Sequence, residues 1–204
     1  MFKTQIASFE TEMKPTEPRE AALHRPATET TAALRPMVYA SLFAALTAVG
    51  AYISVPIGPV PIVMQNMFVF LAGLLLGSRW GLASLAVYLL AGACGLPVFA
   101  GGTGGIARFA GPTGGFLLGY LPVVFWVGWI AERRSESMLW DVAAMVCGAA
   151  VLYVCGVPWL MMVTGMPLSK ALAVGMLPFL AGDALKIGAA VLIAKSVRPL
   201  MRLS

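Results

Sequence analysis

The chain has 204 residues, of which 59% are apolar and only 11% charged, and its formal net charge is +5. Soluble domains carry about 25% charged residues, so this composition excludes an ordinary soluble domain and indicates an integral membrane protein. The surplus of basic residues would suggest an anionic partner in a soluble protein, but in a membrane protein it must first be compared with loop topology.

Residues Met1–Arg35 are rich in Glu, Thr, Pro, Lys and Arg and show no helical stripe of apolar residues. This composition predicts a flexible tail, and its lack of an apolar region argues against a secretory signal. The only histidine, His24, lies in the tail, and the three cysteines form no CxxC pair, so neither a metal site nor a cofactor is expected. The predicted domains are a tail at 1–35 and a membrane domain at 36–204.

Six apolar segments follow the tail, each near the ~20 residues that a helix needs to cross about 30 Å of hydrocarbon. We expect them at about 36–55, 62–76, 80–96, 112–131, 139–159 and 177–197. A proline-rich loop separates the first two, and Gly77-Ser78-Arg79 makes a tight turn between the second and third. The expected fold is an all-α bundle of six transmembrane helices.

The basic residues divide unequally between the two sides of such a bundle. Seven fall on one side: Arg35, Arg79, Arg133, Arg134, Lys195, Arg198 and Arg202. The other side has Arg108, Lys170 and Lys186. The positive-inside rule therefore places both termini in the cytoplasm. The expected location of the protein is the cytoplasmic (inner) membrane. Orientation in the lipid bilayer explains the net charge, so a nucleic-acid partner is unnecessary.

Asp183 and Lys186 stand out because they are an acid and a base inside the last apolar segment. Residues three apart share one face of a helix. An ionisable group at membrane depth costs at least ~2.5 kcal/mol and usually marks a path for a substrate or an ion. The alternative is an ion pair that only holds helices together.

A glycine-rich stretch on the outer side contains Gly101, Gly102, Gly104, Gly105 and Arg108. Such a loop can line a solute site because glycine lets the backbone approach a ligand closely; it can equally be a loose connector. No Gly-Lys-Ser or Gly-Lys-Thr follows, which excludes an ATP-binding P-loop. The neighbouring amides of Gln65 and Asn66 could bind a polar ligand or another helix.

Ala40, Ala44 and Ala48 recur every four residues in the first apolar segment. They predict a smooth strip that lets another helix approach closely. This strip can serve packing within the bundle or the docking of a partner subunit.

Five blocks of the sequence, in order, resemble the BioY family of biotin transporters, which are substrate-binding S components of energy-coupling-factor (ECF) transporters. The blocks are Gly58–Ile62, Leu71–Gly77, Gly95–Phe99, Gly111–Gly115 and Gly182–Lys186. The resemblance extends from about Arg35 to Arg202. It implies a six-helix membrane bundle that binds its vitamin near the outer face.

The resemblance also implies roles for individual residues. Asp183 would accept a hydrogen bond from an N–H of the biotin ureido group, and Lys186 would donate one to its carbonyl. Gln65 and the four glycines would surround the vitamin, and Arg108 would face its carboxylate. Phe116 replaces a tyrosine that family members often carry, so no role for that hydroxyl is expected.

The function implied is biotin uptake as a substrate-capture subunit without catalytic activity. A membrane coupling protein and a pair of ATPases would drive it, with the alanine strip as the docking surface. Three alternatives remain: an S component for another small vitamin, a proton-coupled carrier that uses Asp183 as a relay, and an intramembrane enzyme. The enzyme is disfavoured because the sequence has no nucleophile–base pair and no metal-ligand cluster.

Overall fold

The computed structural model describes residues 27–56, 58–134 and 137–203. Contacts divide the chain between Arg35 and Pro36, and the described residues from Pro36 onward form one compact unit. Residues 27–35 form the beginning of a helix, so α1 starts at Ala27, whereas its apolar span begins at Leu34, close to the expected Pro36. The rest of the predicted tail lies outside the described residues.

The described ranges consist almost entirely of helices, in agreement with the all-α prediction. Their elements are α1 (Ala27–Tyr52), β1 (Ser54–Val55), β2 (Ile62–Val63), α2 (Gln65–Ala93), α3 (Ala107–Ala110), α4 (Gly114–Arg133), α5 (Met138–Thr164), α6 (Leu168–Gly175) and α7 (Leu177–Leu203). The two short strands pair antiparallel, with Ser54 opposite Val63. They close the proline-rich loop between α1 and α2.

Five helices in the described part of the chain are long and apolar enough to cross a membrane. One of them, α2, contains the expected second and third segments and turns sharply at Gly77, where φ is 77° and ψ is −174°. The Gln65 amide donates a hydrogen bond to the Tyr88 hydroxyl at 2.9 Å. In a straight helix these residues would be about 35 Å apart, so the two halves of α2 fold back on each other.

Glycines allow the central helices to pack closely. At Gly73 of α2, an added Cβ would lie 2.9 Å from the Val127 side chain of α4. At Gly128 of α4, it would lie 2.4 Å from the backbone of Gly77. Lipid gives apolar helices no hydrophobic reason to associate, so close backbone contact at small residues supplies much of the packing energy.

A polar cluster joins the helices at one end of the bundle. Arg198 of α7 donates to both carboxylate oxygens of Asp141 of α5, at 2.8 and 2.9 Å. Glu132 at the end of α4 accepts hydrogen bonds from the backbone N–H and the hydroxyl of Ser78, both at 2.8 Å. Asp141 and Arg198 therefore connect α5 to α7, and Glu132 holds the Gly77 turn.

This end of the bundle carries the basic residues that the charge pattern assigned to the cytoplasm. Arg79 follows the Gly77 turn, Arg133 and Arg134 follow Glu132, and Lys195 lines a crevice together with Arg198. We call it the inner end. The opposite, outer end holds β1, β2 and the glycine-rich loop, and α7 covers about 22 Å between Asp183 and Arg198.

We expect Gly77→Ala to destabilise the protein by about 2 kcal/mol, because this backbone conformation is nearly exclusive to glycine. The new Cβ would also lie 2.2 Å from the Glu132 carboxylate. Thermal unfolding in detergent measures the change. The control is Gly188→Ala in α7, where an added Cβ meets nothing within 4 Å. Equal melting temperatures for Gly77→Ala and the wild type would contradict the conclusion that the turn requires glycine at position 77.

Candidate functional site

A cavity of about 340 Å³ opens at the outer end of the bundle. Its walls come from the loop between β1 and β2, the loop after α2 and the first two turns of α4. Apolar side chains make up most of the lining: Val60, Val63, Phe99, Phe116 and Leu117. Its polar side chains include Gln65, Thr103, Arg108, Thr113 and Tyr120. The volume and the few polar groups suit a small organic ligand.

Gln65 and Arg108, both expected at the site, line this cavity. The Gln65 amide is held in place by Tyr88, whose hydroxyl donates in turn to the Val98 carbonyl at 3.1 Å. Arg108 lies on the short helix α3, is exposed, and forms no ion pair within the described ranges. The structure thus brings an oriented amide and an available cation to one cavity.

The four glycines expected at the site shape its edge, and of these only Gly101 lines the cavity. Gly101, Gly102 and Gly105 have positive φ values of 73°, 66° and 95°. At Gly104, an added Cβ would lie 2.2 Å from the Leu96 carbonyl oxygen. The loop therefore needs glycine at these positions to form its tight turn, which Phe99 and Thr103 close as a bridge.

Asp183 and Lys186 form a buried ion pair, with 3.1 Å between the Lys186 Nζ and the Asp183 Oδ1. Their exposed fractions are 3% and 5%. The Tyr153 hydroxyl donates to the other carboxylate oxygen, and the Asn66 amide lies 3.5 Å from Oδ1. The Tyr120 hydroxyl donates to the Asn66 carbonyl oxygen at 2.8 Å. A network of five polar side chains from α2, α4, α5 and α7 results.

The ion pair does not line the outer cavity. A second void of about 30 Å³ lies between the ion pair and the cavity. Asn66, Tyr120 and Tyr153 are among the residues that line it. The two voids share Val60, Pro61, Val63, Phe116 and Tyr120. Asp183 is therefore hydrogen-bonded to residues that line the smaller void but does not line the void itself. The five shared residues form the wall between the smaller void and the cavity.

Phe116 stands where members of the family that this chain resembles often have tyrosine. Its ring lies in the wall shared by the two voids and packs against Gly156, where an added Cβ would be 2.2 Å away. Tyr120 lies one turn later on α4 and places its hydroxyl near the same wall. This chain therefore has a hydroxyl in the wall without a tyrosine at 116.

The sequence interpretation missed Tyr120 and Tyr153. A tyrosine inside an apolar helix is a usable signal, because a buried hydroxyl usually finds a hydrogen-bond partner. What the sequence did not indicate is that Tyr120 would contact Asn66 and that Tyr153 would contact Asp183, since these pairs lie 54 and 30 residues apart. Only the packing of the helices decides such contacts.

The alanine strip of α1 is covered in this structure. Ala40 and Ala44 are buried, and Ala48 is partly buried and packs against the core. Near the end of the same helix, an added Cβ at Gly50 would lie 2.6 Å from the Phe68 ring. The exposed side of α1 carries larger residues: Val38, Leu42, Val49 and Tyr52.

Comparison with known proteins gives one consistent result. The BioY family pattern matches residues 22–203. The biotin transporter BioY of Thermotoga maritima is 41% identical over 167 residues, covering 82% of this chain and 98% of the relative. The biotin transporter BioY of Rhizobium etli is 38% identical over 174 residues, covering 80% and 92%.

A solved structure also matches. It is the crystal structure of the S-component for biotin from an ECF-type ABC transporter, with a TM-score of 0.78 and 29% identity. The match covers 83% of this chain and 93% of that chain.

We expect Lys186→Ala to destabilise the ligand-free protein by about 3 kcal/mol, because it leaves the Asp183 carboxylate buried without its cation. Replacing both partners, as in Asp183→Asn with Lys186→Met, should cost about 1 kcal/mol or less, since no charge stays buried. Unfolding in a graded denaturant measures both variants. Equal losses in the single and double variants would show that the pair is not electrostatically coupled.

Proposed function

The chain belongs to the BioY family, and from this premise we propose that it captures biotin at the outer face of the cytoplasmic membrane. It acts in biotin uptake as the membrane-embedded substrate-binding subunit of an ECF-type transporter. It is a transport protein and not an enzyme. The observation that carries the site assignment is the acid–base pair at the outer end of the bundle, which the small void and its wall separate from the outer cavity.

The chemistry of biotin suits this arrangement. Its fused ring system is apolar and fits a cavity lined by Val60, Phe99 and Phe116. Its ureido group offers two N–H donors and one carbonyl acceptor, which Asp183 and Lys186 can satisfy from opposite sides. Its valerate carboxylate would lie nearer the cavity mouth, where Arg108 supplies a cation.

Contact between biotin and the ion pair requires the two voids to join. The wall shared by the voids includes Val60 and Pro61 of the loop between β1 and β2. A shift of this loop, with repacking of Phe116, would let the ureido group reach Asn66 and Asp183. Biotin would then replace part of the internal hydrogen bonding of the pair, and the dry surroundings would strengthen each new bond.

Release into the cytoplasm requires the loaded bundle to rearrange, and we propose that an ECF coupling protein and a pair of ATPases drive this step. The proposed docking surface is the strip of Ala40, Ala44 and Ala48. Since Ala40 and Ala44 are buried here, docking would require α1 to move away from its present packing. Small residues on both partners would then allow close contact between the helices.

We expect the purified protein to bind radiolabelled biotin and to bind it at least about tenfold more weakly after Asp183→Asn or Lys186→Met. A hydrogen bond to a charged group contributes about 1.5–3 kcal/mol, and 1.4 kcal/mol corresponds to tenfold. Competition with unlabelled thiamine and riboflavin tests specificity, and neither should displace biotin.

The matched control is Lys170→Met, which removes a cation that is exposed and does not line the cavity. It should leave the affinity for biotin unchanged. If Asp183→Asn and Lys186→Met both bind biotin like the wild type, the assigned site is wrong. If thiamine or riboflavin displaces biotin, the alternative of a different vitamin is favoured.

We expect Arg108→Gln to weaken binding of biotin about tenfold but to leave binding of biotin methyl ester unchanged. The ester has no carboxylate, so it cannot gain from the guanidinium. Isothermal titration of both ligands against wild type, Arg108→Gln and Lys170→Gln measures the difference. An equal loss for biotin and its ester in Arg108→Gln would contradict the assignment of Arg108 to the carboxylate.

A further inference from the structure

A groove of about 400 Å³ lies at the inner end of the bundle, where α4 ends and α5 begins. Trp129, Arg133 and Arg134 line it from the α4 side, and Trp140 lines it from the first turn of α5. Ala143 and Cys147 lie along its floor on α5. The groove is far from Asp183, which lies in the outer half of the bundle, so biotin capture does not use it.

The two arginines are held by the two tryptophans. The guanidinium carbon of Arg133 lies 4.0 Å from the ring centroid of Trp129, and that of Arg134 lies 4.2 Å from the ring centroid of Trp140. Stacking uses the face of a guanidinium and leaves its N–H edges available for an anion. Two pre-oriented guanidinium groups thus line one groove.

No carboxylate in the described part of the chain neutralises these arginines. The ion pairs found there join Lys186 to Asp183 and Arg198 to Asp141. The acid beside them in sequence, Glu132, is exposed and accepts hydrogen bonds from Ser78, and no ion pair within the described ranges joins it to either arginine. Among the described residues, these two guanidinium groups therefore have no carboxylate partner, and an anionic ligand can pair with them.

The groove faces lipid and has room for a hydrocarbon chain. Trp126 and Val146 are exposed on its two flanking helices, at 44% and 52%. Indole rings prefer the level of the lipid headgroups, which places the mouth of the groove there. Ala143 and Cys147 have small side chains, and they lead from that level toward the hydrocarbon.

From these features we propose that the groove binds an anionic phospholipid of the cytoplasmic leaflet. The lipid phosphate lies between Arg133 and Arg134 and accepts hydrogen bonds from both guanidinium groups. One acyl chain follows the floor past Ala143 and Cys147. A zwitterionic lipid binds more weakly, because its choline group brings a third cation to the two arginines.

The test uses the full-length protein in phosphatidylcholine bilayers that contain a small fraction of brominated lipid, which quenches tryptophan fluorescence on contact. For equal quenching of tryptophan fluorescence, the bilayer should need about a tenth as much brominated phosphatidylglycerol as brominated phosphatidylcholine. Arg133→Gln with Arg134→Gln should abolish this preference. The matched control, Arg79→Gln with Lys195→Gln, removes two exposed cations from the same end and should keep it within about twofold.

A second variant, Cys147→Phe, fills the floor without changing the charge. Cys147 is exposed, so the larger side chain is compatible with folding, and the preference for phosphatidylglycerol should fall. The proposal is wrong if the two brominated lipids quench equally. It is also wrong if the control loses as much preference as the arginine variant, or if Cys147→Phe keeps all of it.

Discussion

Every charge inside this bundle requires a neighbour that neutralises it, because the surrounding hydrocarbon cannot solvate an ion. In the described part of the chain two pairs meet this requirement, and α7 supplies one or both members of each. Asp183 and Lys186 pair at the outer end, and Arg198 pairs with Asp141 at the inner end. Both pairs also contact α2 and α5, since Asp183 bonds Asn66 and Tyr153 and Arg198 reaches the Leu74 carbonyl at 3.5 Å. Helix α7 is thus attached to the same two helices at both ends.

The outer and inner ion pairs of α7 differ in how easily a ligand could replace their hydrogen bonds. Arg198 donates two short hydrogen bonds to Asp141, whereas Lys186 donates a single one to Asp183, at 3.1 Å. Asp183 is supported further by the Tyr153 hydroxyl and, at 3.5 Å, by the Asn66 amide. The outer network adjoins the small void next to the open cavity, whereas Asp141 and Arg198 line a crevice at the inner end. A ureido group could replace hydrogen bonds there while the inner attachment stays closed. We therefore expect ligand capture to repack the outer half of the bundle around a firm inner end.

Particular residues show how far the sequence could be interpreted. The turn at Gly77 and the pairing of Asp183 with Lys186 were predictable, because each depends on residues close together in the chain. The first apolar segment was expected from about Pro36, and the apolar span begins at Leu34, but the helix that contains it begins seven residues earlier still, at Ala27. The sequence assigned Gln65 and Arg108 to the outer side, and both line one cavity at the outer end. The roles of Tyr120 and Tyr153 did not follow from any local pattern.

The sequence by itself determined that this is a membrane bundle, which of its ends carries the positive charge, and which acid and base lie within it. These features follow from composition and from the 3.6-residue period of a helix, which are local properties. Only the tertiary structure decided that Asp183 bonds Tyr153 and Asn66, that the ion pair lies behind a wall and not in the open cavity, and that the alanine strip faces inward. Such facts depend on how distant helices pack, and close packing at glycines far apart in the chain sets those distances.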